Sequence, residues 1–157
     1  MFWVDGIIPS MKRPQVSMRL ARIEDTEELA DLAAQLGYPS TPEEILERFE
    51  SIHADSDHAI FIAEADGRVI GWVHVFFYTL LVSKREAEIG GVVVDENHRG
   101  AGVGRRLMEQ AETWARQRSC PSVYLRSNVI RSEAHKFYER IGYTRIKSQH
   151  ALRKMLK

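Results

Sequence analysis

The chain has 157 residues, 44% hydrophobic and 28% charged, which suits a single globular domain with a sizeable core. Its 22 basic and 22 acidic residues cancel, so no excess charge points to nucleic acid or an anionic membrane as the main partner. A single cysteine, Cys120, excludes an intramolecular disulfide, and no apolar run is long enough to span a bilayer.

Residues 1–16 read as an N-terminal extension, flexible or loosely docked, because Gly6, Pro9 and Pro14 interrupt the apolar Phe2-Trp3-Val4 and Ile7-Ile8. Phe2 and Trp3 are candidates for a dimer contact. The start shows no basic segment followed by an apolar core, so no signal peptide is expected and the cytoplasm is the default compartment. Residues 17–157 form the single domain. A first strand is expected from Val16 to Arg22, then a helix capped by Asp25 and Glu28, with Leu29, Leu32, Ala33 and Leu36 on its buried face and Gly37 at its end. Thr41-Pro42-Glu43-Glu44 starts a second helix, with proline at the first helical position and Ile45, Phe49 and Ile52 on the apolar side. Between them, Gly37-Tyr38-Pro39-Ser40 is either a plain turn or part of a binding site.

Two strands, Ala59 to Ala65 and Val69 to Tyr78, are joined by the hairpin signal Asp66-Gly67. Alternation puts Trp72, His74, Phe76 and Tyr78 on one face, which either packs on a helix or lines a cleft. Glu86 to Asp95 is the next strand, and Gly90-Gly91 within it marks a bulge or a close approach to the backbone. It feeds the loop Arg99-Gly100-Ala101-Gly102-Val103-Gly104, which opens a helix from about Gly102 to Arg118. Glycines at alternate positions bare the backbone, and the free amides of a first helical turn attract anions. Arg105 and Arg106 stand in that turn, where the helix dipole disfavours cations, and a bound polyanion would relieve the conflict. The segment therefore reads as a phosphate-binding loop. It lacks the Lys-Ser/Thr ending of a nucleotide triphosphate loop and has GxGxG spacing instead of the dinucleotide GxGxxG.

Val123 to Arg126 is a further strand. After it, Asn128 leads into an amphipathic helix in which Ala134, Phe137, Tyr138 and Ile141 share a face and Gly142 supplies the stop. Tyr143 to Met155 should add two closing strands around Ser148-Gln149. Cys120 precedes a proline at a helix end and has no evident triad partner, so it is not read as a nucleophile. The six histidines show no HExxH or paired ligand spacing, and no metal is expected.

The loop Arg99 to Gly104 resembles the Q/R-x-x-G-x-G/A signature of the GNAT superfamily of N-acetyltransferases. The block from Asn128 to Tyr143 resembles that family's second motif, N-x-x-[A]-x-x-F-Y-x-x-x-G-[FY], with Asn128 displaced six residues ahead of Ala134. The resemblance runs from about Ser17 to the C-terminus. It implies an α/β fold, a mixed, twisted sheet flanked by helices on both faces, with central strands that splay to admit the cofactor. It further implies acetyl-CoA as cosubstrate, its pyrophosphate held by Arg99, Gly100, Ala101, Gly102, Val103, Gly104 and Arg105. The pantetheine arm would pair with the strand Val92, Val93, Val94 through the backbone of Val92 and Val94, near Asn128, Ala134 and Phe137. By the same resemblance, the Val94 amide would stabilise the thioester oxygen, Tyr138 would protonate the leaving thiolate, and Glu88 would act as base. On the residues alone, Tyr138 is also explained as a packed core phenol and Glu88 as a solvated strand carboxylate. The implied function is direct acetyl transfer to the primary amine of a small molecule, of the aminoglycoside or another kind. A protein or peptide N-acetyltransferase and a non-catalytic acyl-CoA sensor are the alternatives, and a homodimer is the family expectation.

Overall fold

A computed structural model describes residues 15–157. The Phe2 and Trp3 contact proposed from the sequence lies outside the described residues. Five strands form one sheet in sequential order: β1 (Ser17–Leu20), β2 (His58–Ala65), β3 (Arg68–Leu80), β4 (Ser83–Val94) and β5 (Val123–Leu125). β1 to β4 are antiparallel neighbours, while β5 runs parallel to β4. A parallel neighbour needs a crossover, and α3 (Val103–Gln117) lies within it. The Asp66-Gly67 hairpin forms as expected, with both residues at positive φ.

Strand alternation divides the core in two. Val73, Val75 and Phe77 of β3, with Ala87 and Ile89 of β4, face Leu107, Met108, Ala111 and Trp114 of α3. On the other side, Ile62, Trp72 and Val93 meet α1 (Thr26–Leu36) and α2 (Pro42–His53) through Leu29, Leu32 and Phe49. Helices thus cover both faces of an open sheet. Leu107 and Met108 are fully buried, each contributing about 2 kcal/mol by removal from water. No helix among the described residues is long and apolar enough to cross a membrane.

The second helix starts as its residues dictate: Thr41 Oγ1 accepts from the Glu44 amide, Glu44 accepts from the Thr41 amide, and Pro42 opens the first turn. The first helix does not. Asp25 makes no cap bond to α1; it ends a 3₁₀ turn and accepts from the Arg22 amide at 2.7 Å and from Arg19 at 2.7 and 2.9 Å. Glu28 accepts from the Val69 amide instead. A buried carboxylate gains more from a guanidinium than from one peptide amide, so the tertiary partner overrides the local cap.

The two closing strands are a second correction. No regular element follows α4 (Ser132–Arg140), and Ile146, Leu152, Met155 and Leu156 are exposed, Leu152 to 93%. β5 offers three residues as a template, and the segment from residue 144 carries five Lys or Arg side chains and no carboxylate. Its apolar side chains stay unburied there, so nothing offsets the entropy of ordering it.

Asp25 yields the first test. Burial alone would raise its pKa, but hydrogen bonds from Arg19 and the Arg22 amide, with the Arg19 charge, hold it below the usual carboxylate range. A depressed folded pKa stabilises the protein above the unfolded value of about 3.9, and that contribution is lost as pH falls through the folded value. Arg19→Ala should lower the unfolding free energy by about 3 kcal/mol at pH 7 and shift acid unfolding to higher pH. Urea titrations from pH 7 to pH 3 measure both.

Candidate active site

The site begins where two strands part. β4 is paired with β3 along its length, yet β5 joins it only at Ala87, Glu88 and Ile89, opposite Val123, Tyr124 and Leu125. From Gly90 onward one side of β4 has no strand beside it. The register shifts between His74 and Val75 as β4 passes from Gly91 to Ile89, which leaves Gly90 as the extra residue of a bulge. The Asp95 amide donates to Ile70 O at 2.8 Å. Antiparallel alternation then turns the peptide groups of Val93 toward β3 and those of Val92 and Val94 toward the open side. Val93 is also buried by side chain in the α1/α2 core, so the structure does not bring it to the cleft. Arg99 Nε donates to Val94 O at 3.0 Å, and the Val94 amide keeps its open aspect.

The glycine loop follows directly. Asp95 anchors it by accepting from the Asn97 amide and lying 3.2 Å from His98 Nδ1. Burial would raise the Asp95 carboxyl, but those two contacts lower it, so it remains an anion. Gly100 and Gly102 have φ of 77° and 80°, the left-handed region, and a Cβ at either would meet nothing within 4 Å. Conformation, not crowding, requires glycine there. Gly102 caps α3 without a side chain, so the amides of the first helical turn are left facing outward. Arg105 pairs with Glu109 at 2.9 Å, and Arg106 Nη1 donates to Val16 O at 2.9 Å. The charge conflict expected there is met partly inside the chain.

Phe137 joins the two sequence motifs. Its ring lies 3.3 Å from the place of a Cβ on Gly104, which is also 3.6 Å from a Val94 methyl group. Tyr138 packs edge-on against Phe137 and Tyr143, with centroids 5.3 and 6.0 Å away. Burial raises its pKa while the Arg131 charge opposes, so it is a neutral phenol able to donate. Asn128 is largely used by the turn into α4. Its Oδ1 accepts from the Ile130 amide, and its carbonyl accepts from the Arg131 amide and lies 3.0 Å from His135 Nε2. Ala134 is half-buried on α4.

Glu88 comes to the strand split from the opposite face. It is 7% exposed, sits opposite Phe76 in register and lies 3.5 Å from Arg126 Nε. Beside it, Tyr78 donates to Glu86 at 2.9 Å, and burial together with that carboxylate pushes the phenol up to about 12. The same face carries a feature that spacing did not reveal. His58 Nδ1 and His74 Nε2 are 2.9 Å apart, brought together by the β2–β3 register. Farther along, a cavity of about 300 Å³ is lined by Leu36, Tyr38, Ser40, Arg48, Trp72 and Gly90. The Gly37–Ser40 loop therefore contributes to a cleft as well as to a turn. A hollow of about 380 Å³ near Arg22 and Phe49 holds none of these groups. No cluster that could hold a metal occurs among the described residues.

Residues 23–143 match the acetyltransferase (GNAT) family. The chain belongs to that family. It is an N-acetyltransferase. An aminoalkylphosphonate N-acetyltransferase of Salmonella typhimurium is 30% identical over 133 residues, 83% of this chain and 86% of that protein. An aminoglycoside N(6')-acetyltransferase type 1 of Stenotrophomonas maltophilia is 29% identical over 123 residues, 73% and 80% of the two chains. Other relatives are longer, and the chain spans 43% to 52% of three of them. The crystal structure of glucosamine-6-phosphate N-acetyltransferase from Arabidopsis thaliana matches with a TM-score of 0.77 at 26% identity, over 88% of this GNAT chain and 98% of the other.

Burial, followed by the His58 charge, lowers His74 from 6.5 to about 4. Between those values the unfolded chain binds a proton that the folded chain does not, so stability falls as pH drops from about 6.5 to about 4. His74→Gln should remove a loss on the order of 3 kcal/mol across that window. Denaturant titrations at pH 7 and pH 4.5 would show it as a smaller difference than in the wild type.

Proposed function

We propose that this GNAT enzyme transfers an acetyl group from acetyl-CoA directly to the primary amine of a small molecule. The observation that carries this is the open backbone edge of Val92 and Val94, running straight into left-handed glycines at a helix N-terminus. An extended chain bearing amides can add to such an edge as a strand would, and a pyrophosphate suits the bare amides beyond it. Arg99, Gly100, Ala101, Gly102, Val103, Gly104 and Arg105 would hold the phosphates, and Phe137, Ala134 and Asn128 would flank the arm. When bound, the cosubstrate supplies an activated acyl group as a thioester. Relatives named for aminoalkylphosphonates and aminoglycosides support a small-molecule acceptor.

The chain's own groups divide the work. The Val94 amide donates to the acyl oxygen as negative charge develops there. Tyr138, neutral and half-enclosed, donates its phenolic proton to the departing sulfur. Glu88 removes the proton that an amine with a pKa near 10.4 carries at neutral pH. Arg126, its Nε 3.5 Å from the carboxylate, orients Glu88.

Thiol release from acetyl-CoA across amines of several classes tests this reading, and turnover on a small amine is the expected result. Tyr138→Phe should lower kcat roughly tenfold to a hundredfold while the Kd for coenzyme A stays within about twofold. Glu88→Gln should lower kcat/KM for the amine about a hundredfold. Unchanged turnover in either variant removes that residue from the mechanism. Thermal stabilisation by coenzyme A with silence toward every amine would favour a sensor.

A further inference from the structure

We infer that the acceptor is bipolar: its amine lies toward Glu88, and an oxyanion group on the same molecule is held by Arg48 in the cavity beside the Gly90 bulge. The inference rests on the acetyl-transfer reading and adds the chemical class of the acceptor.

The polar groups of this cavity are mainly donors. The Trp72 ring walls the cavity, while its indole N–H is enclosed by the protein. Arg48 reaches across from α2 to Ser40, donating to its Oγ at 2.8 Å, and pairs with no carboxylate among the described residues. Arg131, next to the same loop, donates to Leu36 O at 2.8 Å and likewise lacks a carboxylate partner among the described residues. Tyr38 and Ser40 add hydroxyl groups. No Asp or Glu lines the cavity. A polycationic ligand would bring more donors and positive charge to donors that are already positive, whereas an oxyanion would pair with the guanidinium.

The opposite polarity lies on the adjoining stretch of sheet. Glu88 and Glu86 lie on β4 beyond the bulge, on the face shared with Trp72, His74, Phe76 and Tyr78. At about 3.4 Å per residue, Glu88 and Gly90 are roughly 7 Å apart along the strand. An amine and an oxyanion separated by a few bonds would span that distance. The two ends of the cleft therefore select a zwitterionic amine over a neutral or polycationic one.

The test compares kcat/KM for matched pairs: 2-aminoethylphosphonate with its dimethyl ester, β-alanine with β-alaninamide, and glucosamine 6-phosphate with glucosamine. Tobramycin serves as the polycation. In at least one pair the charged member should be preferred roughly tenfold or more. Arg48→Ala should bring that ratio close to one, and Arg48→Lys should retain part of it. Arg48 is exposed on α2, so its loss should leave the fold intact. The phosphonate, phosphate and carboxylate pairs separate the sources of the oxyanion. Ratios near one in the wild type, a ratio untouched by Arg48→Ala, or preferred turnover of tobramycin or the neutral amines would overturn the inference and leave acetyl transfer standing. No thiol release with any amine would overturn acetyl transfer, and this inference with it.

Discussion

Pairing between β4 and β5 stops at Ile89 and Leu125, while β4 continues through Val94 with β3 on one side only. Backbone groups seldom go without partners, and an unpaired edge invites another extended chain. Here the edge is not blunted by proline or lysine. It runs into a glycine loop whose left-handed residues turn their amides outward, so edge and loop form one continuous polar track. The Gly90 bulge lies where this track begins, and Phe137 closes on it across Gly104.

The two faces of the sheet serve different ends. Toward α3 the packing is dense, with Leu107, Met108 and Ala111 inaccessible to solvent. That core holds the strand edge and the loop in fixed relation, as precise positioning requires. Toward α1 and α2 the sheet carries a cavity, an unsatisfied indole N–H and a histidine pair. The proposed cosubstrate side is thus backbone chemistry, and the proposed acceptor side is side-chain chemistry.

That division explains what the sequence made legible. Glycines that must adopt positive φ, a helix start and a mid-strand glycine pair all leave marks in local sequence, so the loop at Gly100 to Gly104 and the bulge at Gly90 could be read directly. Glu88 and Tyr138 were singled out only through resemblance to the family, since nothing in their spacing distinguishes them from packed residues. Long-range partners were not legible at all. Asp25 abandons its local cap for Arg19 of the preceding strand, which Glu64 of β2 holds in place from 45 residues away. His58 meets His74 only through the β2–β3 register, and Arg106 meets Val16 across 90 residues. The closing strands expected from Tyr143 to Met155 failed for a different reason: a basic segment beside a three-residue β5 finds no template.

The most direct test of the open-edge account is the backbone amide spectrum of the protein titrated with coenzyme A. Val92 and Val94, whose N–H groups face the split, should show the large shifts within the strand, and Val93, whose N–H is committed to β3, should move far less. Shifts centred on Val93, or an undisturbed Val92 to Val94 despite saturating coenzyme A, would contradict the account.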